Sequence, residues 1–301
     1  MKNIRQRLRR ARKQSRVESM MFANTKRALA SSYHDVLKNQ TFQAAAALSY
    51  YSILCIFPAL ILLSAVMAHI PLPNFFQDSL IAMGRVLPPG TMPMVDSVLK
   101  DILGANSGAW LSLGTLGTLW LVSSTFDEMI EALDIAYDVD DNRPFWKMRL
   151  WALGLAAVTA VFLICAIATI IVGPWVGDWL AGRLSLTGAF VLFWPYIHWT
   201  IAIIFTVLAV ATIYFLAPNL KQRFLGTLPG AVLSVACWIG LSFLLRIYFR
   251  YFGNYNRTYG TLAGVMALLT WLYWAYFILL AGGELNAELA KAGSAARPAR
   301  E

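Results

Sequence analysis

Charge is what this sequence has least of. Asp, Glu, Lys and Arg make up 14% of 301 residues, against about 25% in an ordinary soluble domain. Acidic residues are scarcer than basic ones, 16 against 25, which leaves a formal net charge of +9. Hydrophobic residues reach 58%, so there is too little polar surface to cover a water-soluble globule. Cysteine is limited to Cys55, Cys165 and Cys237, all inside apolar runs and with no CxxC. They read as small buried apolar residues, which excludes a disulfide framework. Histidine is limited to His34, His69 and His198, too few and too scattered for a His-rich dinuclear metal centre. No HExxH, GxSxG or GxxxxGK[ST] occurs, so no metalloprotease, hydrolase or P-loop chemistry can be assembled.

Six stretches carry no Asp, Glu, Lys or Arg: 42–77, 102–126, 150–177, 184–220, 224–245 and 258–283. Each reaches the roughly 20 residues that a helix needs to cross a ~30 Å hydrocarbon core. The expectation is an all-α polytopic membrane protein of six transmembrane helices, near 44–68, 108–126, 150–172, 193–216, 226–247 and 260–282, with short amphipathic interfacial helices. The alternating pattern of a β-barrel is absent, and helices satisfy their own backbone in lipid. Residues 1–43 form a basic arm, 44–283 the membrane domain and 284–301 a tail. Leu184 to Trp194 is expected to lie at the interface before the chain turns inward. With the N-terminus inside, nineteen Lys and Arg fall on the cytoplasmic side and six outside, which predicts N-in, C-in topology. Trp110, Trp146, Trp151, Trp175, Trp179 and Trp194 sit near span ends, as an interfacial belt requires. The long basic N-terminus has no nearby apolar run, so no cleavable signal peptide is expected.

Eight Lys and Arg within residues 1–16 suit the anionic lipids of the inner leaflet. No aromatic residues interleave them, which argues against a nucleic-acid partner. Leu29, Tyr33, Val36 and Leu37 suggest an amphipathic helix on the inner surface. In the 70–107 loop, Phe75 to Leu87 and Val95 to Ile102 flank Pro88-Pro89-Gly90, predicting two short amphipathic helices at the outer interface or over a cavity.

Polar residues at helix ends are the candidate site. Asp127, Glu131 and Asp134 share one face if the second span continues as a helix; they either bind a proton or cation or form a solvated face paired with the basic arm. Glu284 follows the sixth apolar run directly, with Asn286 and Glu288 behind it. It is a gate or ion site at the cytoplasmic mouth, or an anchored helix end. Pro58 frees the Leu54 carbonyl and predicts a kink beside Tyr50 and Tyr51, where a polar path could open. Arg246 and Arg250 stand one turn apart at the outer end of the fifth span, either holding a lipid phosphate or snorkelling. His198 is a packing residue or a ligand. The pairs Gly226/Gly230 and Gly260/Gly264 permit close helix approach.

These residues together resemble a known family. Ala44 to Ile53 leading to Phe57-Pro58 is similar to the opening signature of the BrkB/YihY family of bacterial inner-membrane proteins. So are Leu216-Ala217-Pro218-Asn219, Pro229-Gly230-Ala231, Tyr251 to Tyr255 with Tyr259-Gly260, and Gly283-Glu284-Leu285-Asn286. The resemblance implies a six-helix protein of the bacterial inner membrane, linked to the cell envelope and with a transport role; some members have carried the label ribonuclease BN, which the missing metal ligands argue against. The expected function is transport of a solute or lipid, coupled to protons or cations. Tyr50, Tyr51, Pro58, Asp127, Glu131, Asn219, Tyr259, Glu284 and Asn286 are expected to line or gate the path. The alternative is a non-transporting scaffold for envelope assembly. No cofactor, no metal and no enzymatic activity are expected, and a homo-oligomer is allowed.

Overall fold

The computed structural model describes residues 36–68, 108–184, 189–251 and 261–295. They form six long helices: α1 Thr41–Ala68, α2 Gly108–Ala136, α3 Phe145–Leu184, α4 Ala189–Leu216, α5 Phe224–Tyr251 and α6 Thr261–Ala295. No strand occurs among the described residues. Each helix packs on the next, α6 returns to α1, and α6 also touches α2, so the six close into a ring. The segments 145–183, 193–216, 224–248 and 264–292 are long and apolar enough to cross a membrane. Large apolar side chains face outward along them, among them Leu150, Val161, Ile164 and Trp175 on α3 and Ile203, Ile204, Phe243 and Leu244 on α4 and α5. In water that surface would be untenable; against acyl chains it is the stable arrangement.

The packed core lies at one end of the ring. Leu48 from α1, Met129, Ile130 and Leu133 from α2, Leu155 from α3, Tyr214 from α4, Ala231 from α5 and Leu280 from α6 meet there. The chain turns at this end are built with care. After α2, Asp138 takes a left-handed conformation (φ 53°). The Asp138 amide then bonds the Ile135 carbonyl at 3.2 Å and the Val139 amide the Asp134 carbonyl at 2.9 Å, the Schellman pattern that closes a helix. Val139 completes it by packing with Tyr137 and Ala287. Asp141 then forms an Asx turn, accepting the Arg143 backbone amide at 2.9 Å. The Pro144 carbonyl accepts the first amides of α3 from Lys147 and Met148.

The other short turn, 217–223, satisfies the four orphan carbonyls at the end of α4 with side chains. Gln222 donates to the Tyr214 and Phe215 carbonyls at 2.6 and 3.4 Å. Trp151 donates to Leu216 at 3.0 Å and Arg143 to Ala217 at 3.4 Å. Pro218 keeps the helix from continuing.

Several expectations need amendment. The chain makes no turn between 189–194 and the fourth span: α4 starts at Ala189 and continues through Pro195. The reason is a socket on α3. A Cβ at Gly173 would meet His198, and one at Gly177 would meet the Trp194 ring, while the Trp194 indole donates to the Gly173 carbonyl at 2.6 Å. His198 is buried, with Nδ1 3.1 Å from the Trp194 carbonyl, as a packing residue would be. The third helix runs to 40 residues, well beyond the span 150–172. The cysteines are not core residues: Cys55 and Cys165 are half-buried and Cys237 is exposed. Pro58 lies inside a continuous α1. The arm before residue 36, the predicted helices of 70–107, Tyr259 and Gly260 lie outside the described residues, as does the Arg250 side chain.

Candidate functional site

Among the described residues, the longest unbroken run of buried positions falls on a polar sequence. Residues 282–287, Gly-Gly-Glu-Leu-Asn-Ala, are all buried, with Glu284 and Asn286 each 2% exposed. Glycine makes this possible. At Gly230 on α5 a Cβ would strike the Gly282 carbonyl and the Asn286 amide. At Gly282 it would strike Ser234 and Tyr214, and at Gly283 it would strike Leu133. The three positions bring α6 to backbone distance from α5 and leave room for the Tyr214 side chain of α4 and the Leu133 side chain of α2.

The close approach is filled with hydrogen bonds. Asn286 accepts the Gly230 amide at 2.8 Å and donates to the Thr227 carbonyl at 2.9 Å. The Tyr214 hydroxyl donates to the Leu279 carbonyl and stands 2.8 Å from Ser234 Oγ. Glu284 Oε1 accepts from the Asn39 amide at 2.8 Å, tying the start of the described chain to the end of α6. Burial also pushes the Tyr137 hydroxyl well above its ordinary pKa, with Asn286 and the Glu284 charge beside it.

A second buried carboxylate lies on α2. Asp134 is 4% exposed. Its Oδ1 accepts the Asn219 backbone amide at 3.0 Å, while Oδ2 is buried with no hydrogen-bond partner. Burial raises the Asp134 pKa to about 6; the Asn219 amide and Arg143 work against this, and Asp141 and Glu131 add to it. Asp127 is half-buried and raised by burial, with Arg149 opposing from 3.7 Å. Burial raises neighbouring Glu128 as well, and Glu131 and Asp127 add to it. Burial works against Asp141, yet Arg143, bonded to both of its oxygens at 2.9 and 2.7 Å, holds it low.

The expected site residues are thus sorted by the fold. Glu284 and Asn286 sit together at the buried end of α6, and the exposed Asn219 reaches the same end through its amide to Asp134. The three acids stay on one face of α2, which continues to Ala136, but their surroundings differ: Asp134 is buried, Glu131 is exposed and Asp127 pairs with Arg149. Tyr50 is 58% exposed on α1 and Tyr51 is half-buried. Pro58 faces Gly117 of α2. Arg246 is exposed. Sequence reasoning did not single out Tyr137, Tyr214 or Asn39 for this site, and it grouped Asp134 with Asp127 and Glu131 without setting it apart as the buried one. A signal existed for Asp134: Ile130, Leu133 and Tyr137 form an i, i+3, i+7 stripe that brackets it, while Glu131 and Ile135 fall outside.

Comparisons with known proteins bear on this arrangement. The profile of the family described as Virulence factor BrkB matches residues 32–301. The chain is 30% identical over 246 residues to "Putative ribonuclease-like protein YfkH" of Bacillus subtilis, covering 82% of this chain and 89% of that one. It is 23% identical over 266 residues to the "UPF0761 membrane protein Smlt0865" of Stenotrophomonas maltophilia, covering 86% of this chain and 59% of the relative's length. A UPF0761 membrane protein of Tolumonas auensis is 24% identical over 255 residues, 80% of this chain and 78% of the relative. No solved structure matches. Since the profile spans nearly the whole chain, including every helix described above, the protein belongs to the BrkB family of membrane proteins.

Proposed function

We propose that the protein is a six-span transporter or lipid-translocating protein of the bacterial inner membrane, with both termini cytoplasmic and movement coupled to protons or cations. The observation that carries this reading is the burial of two carboxylates, Glu284 and Asp134, at the same end of the helix ring. A buried carboxylate is costly unless its protonation or its partner is put to use. In this reading Glu284 and Asn286 form the inner gate, Asn219 and Asp127 flank it, and Glu131 faces the cytoplasm. Tyr50, Tyr51, Pro58 and Tyr259 continue the path outward. Arg246 and Arg250 hold anionic headgroups at the outer end, and the basic arm holds them at the inner one. The ribonuclease wording of the Bacillus relative's name is not carried over: among the described residues no group of three His, Cys, Asp or Glu could hold a metal.

A scaffold is the second reading, favoured by the saturation of Asn286, which locks α5 to α6. Reconstituted vesicles separate the two. Proton entry is followed with an internal pH dye, and lipid movement by dithionite quenching of a fluorescent phosphatidylglycerol. A transporter moves at least one of these above protein-free vesicles, and Glu284→Gln and Asp127→Asn slow it. Wild-type protein that moves neither leaves the scaffold. Unchanged movement in both variants removes these carboxylates from the mechanism.

A further inference from the structure

A cleft of about 480 Å³ opens at the same end of the ring, between the start of α3 and the 217–223 turn. Its walls divide by chemistry. Trp151, Phe215, Leu216, Pro218 and Leu220 are apolar or aromatic; Arg143 and Lys221 are cationic; no acidic residue lines it. That is unusual for this end of the protein, where Asp127, Glu128, Glu131, Asp138 and Asp140 gather. The cleft is also rigid. Trp151 is held by its bond to the Leu216 carbonyl. Arg143 is fixed by Asp141, by the Ala217 carbonyl and by the Trp151 ring, 5.5 Å from its guanidinium. Asp141 offsets the charge of Arg143, so Lys221, exposed and on the rim, carries the uncompensated charge. The apolar wall runs on into the outward-facing surface of α3, where Leu150 is 71% exposed beside Trp151 at 44%.

From this division we infer that the cleft binds the phosphate headgroup of an anionic phospholipid of the inner leaflet. The phosphate meets Lys221 and the free guanidinium N–H groups of Arg143, and the first acyl carbons lie along Trp151, Phe215 and Leu216. A soluble phosphate would use the cations and leave the apolar wall idle, whereas a lipid uses both. The inference rests on the proposed topology, which sets this end at the inner leaflet, and not on transport, because a bound lipid serves a scaffold equally well. It is also separate from the outer-end arginines and the basic arm.

Native mass spectrometry of the purified full-length protein, titrated with phosphatidylglycerol, with phosphatidylethanolamine and with inorganic phosphate, tests it. The expected result is preferential retention of phosphatidylglycerol, an about tenfold loss in Lys221→Glu from one charge-assisted contact, and recovery in Lys221→Arg. Arg183→Glu, at the far end of α3, keeps wild-type retention. Equal retention of both lipids overturns the inference, as does an unchanged Lys221→Glu or an equal loss in Arg183→Glu. Inorganic phosphate that displaces the lipid stoichiometrically overturns the lipid assignment in favour of a free anion.

Discussion

Asn286 on α6 spends both ends of its amide on the backbone of α5, accepting from Gly230 and donating to Thr227. Both partners are buried. The bond pair therefore works as a clasp between two helices and not as a surface contact. Replacing Asn286 with Ala leaves one buried N–H and one buried carbonyl without this partner, at a cost of about 1–3 kcal/mol for each group left unsatisfied. The expected outcome is a lower unfolding temperature in detergent, read by size-exclusion thermostability. Asn286→Asp keeps the acceptor, loses the donor and buries a charge, so it should fall at least as far as the alanine variant.

The glycines sort into two classes with opposite expectations. Gly230→Ala and Gly282→Ala force a methyl into backbone or hydroxyl atoms of the neighbouring helix, and overpacking of this kind costs about 1–3 kcal/mol. Gly154 and Gly240 have nothing within 4 Å of the added Cβ. Alanine there should be neutral or stabilise the helix by up to about 1 kcal/mol. Melting all four variants side by side in one detergent checks the division; equal losses at all four would mean that close approach is not what Gly230 provides.

The helices were legible because twenty-odd residues without charge admit one structure in lipid, and four of the predicted spans coincide with helices that meet the length and apolarity needed. The socket of α3 was not. Gly173 and Gly177 form a small-xxx-small pair as good as Gly226 and Gly230, yet nothing in the local sequence says that Trp194 and His198, twenty residues on, will sit there. Gly226, conversely, has open space around it. Glu284 was legible because it ends an apolar run. Asp134 was harder to place, since six other acids surround it within residues 127–141. Which of those acids turns inward depends on the 217–223 turn packing over α2, a contact between residues 85 apart.

Asp134 gives this end of the ring a dependence on pH. Its pKa is raised by burial, from 3.8 to about 6, so between those values the folded protein holds a proton that the unfolded chain has released. Stability from this group is therefore full below about pH 4 and declines as pH rises through about 6. The whole effect is on the order of 3 kcal/mol at most. Asp134→Asn keeps an acceptor for the Asn219 amide and removes the titration. Hydrogen–deuterium exchange of residues 128–137 and 219–222, corrected for intrinsic rates, should rise between pH 4 and 7 in the wild type more than in the variant. Identical profiles would show that Asp134 does not titrate in this range.

Arg149 and Lys291 both pair with carboxylates at this end, yet their substitution should differ sharply. Arg149 lies over the Trp120 and Phe145 rings, with its guanidinium 4.9 and 5.2 Å from their centroids. It also donates to Ser124 at 2.8 Å and Ser123 at 3.2 Å, so one planar cation staples α3 to α2. A lysine cannot reproduce a fork and a stacking plane together, and each cation–π contact is worth about 0.5–2 kcal/mol. Lys291 is half exposed and reaches Asp138, itself 71% exposed, at 2.6 Å and Glu288 at 3.1 Å. Burial disfavours its charge, but the two carboxylates hold its pKa above the ordinary lysine value. Solvent and salt screen such a pair to about 0–1 kcal/mol. Arg149→Lys should therefore lower the unfolding temperature clearly at both low and high salt. Lys291→Ala should produce a small loss that disappears as sodium chloride is raised. A larger loss from Lys291→Ala than from Arg149→Lys would mean that the tie between the α2 end and α6, and not the staple between α2 and α3, limits the stability of the ring.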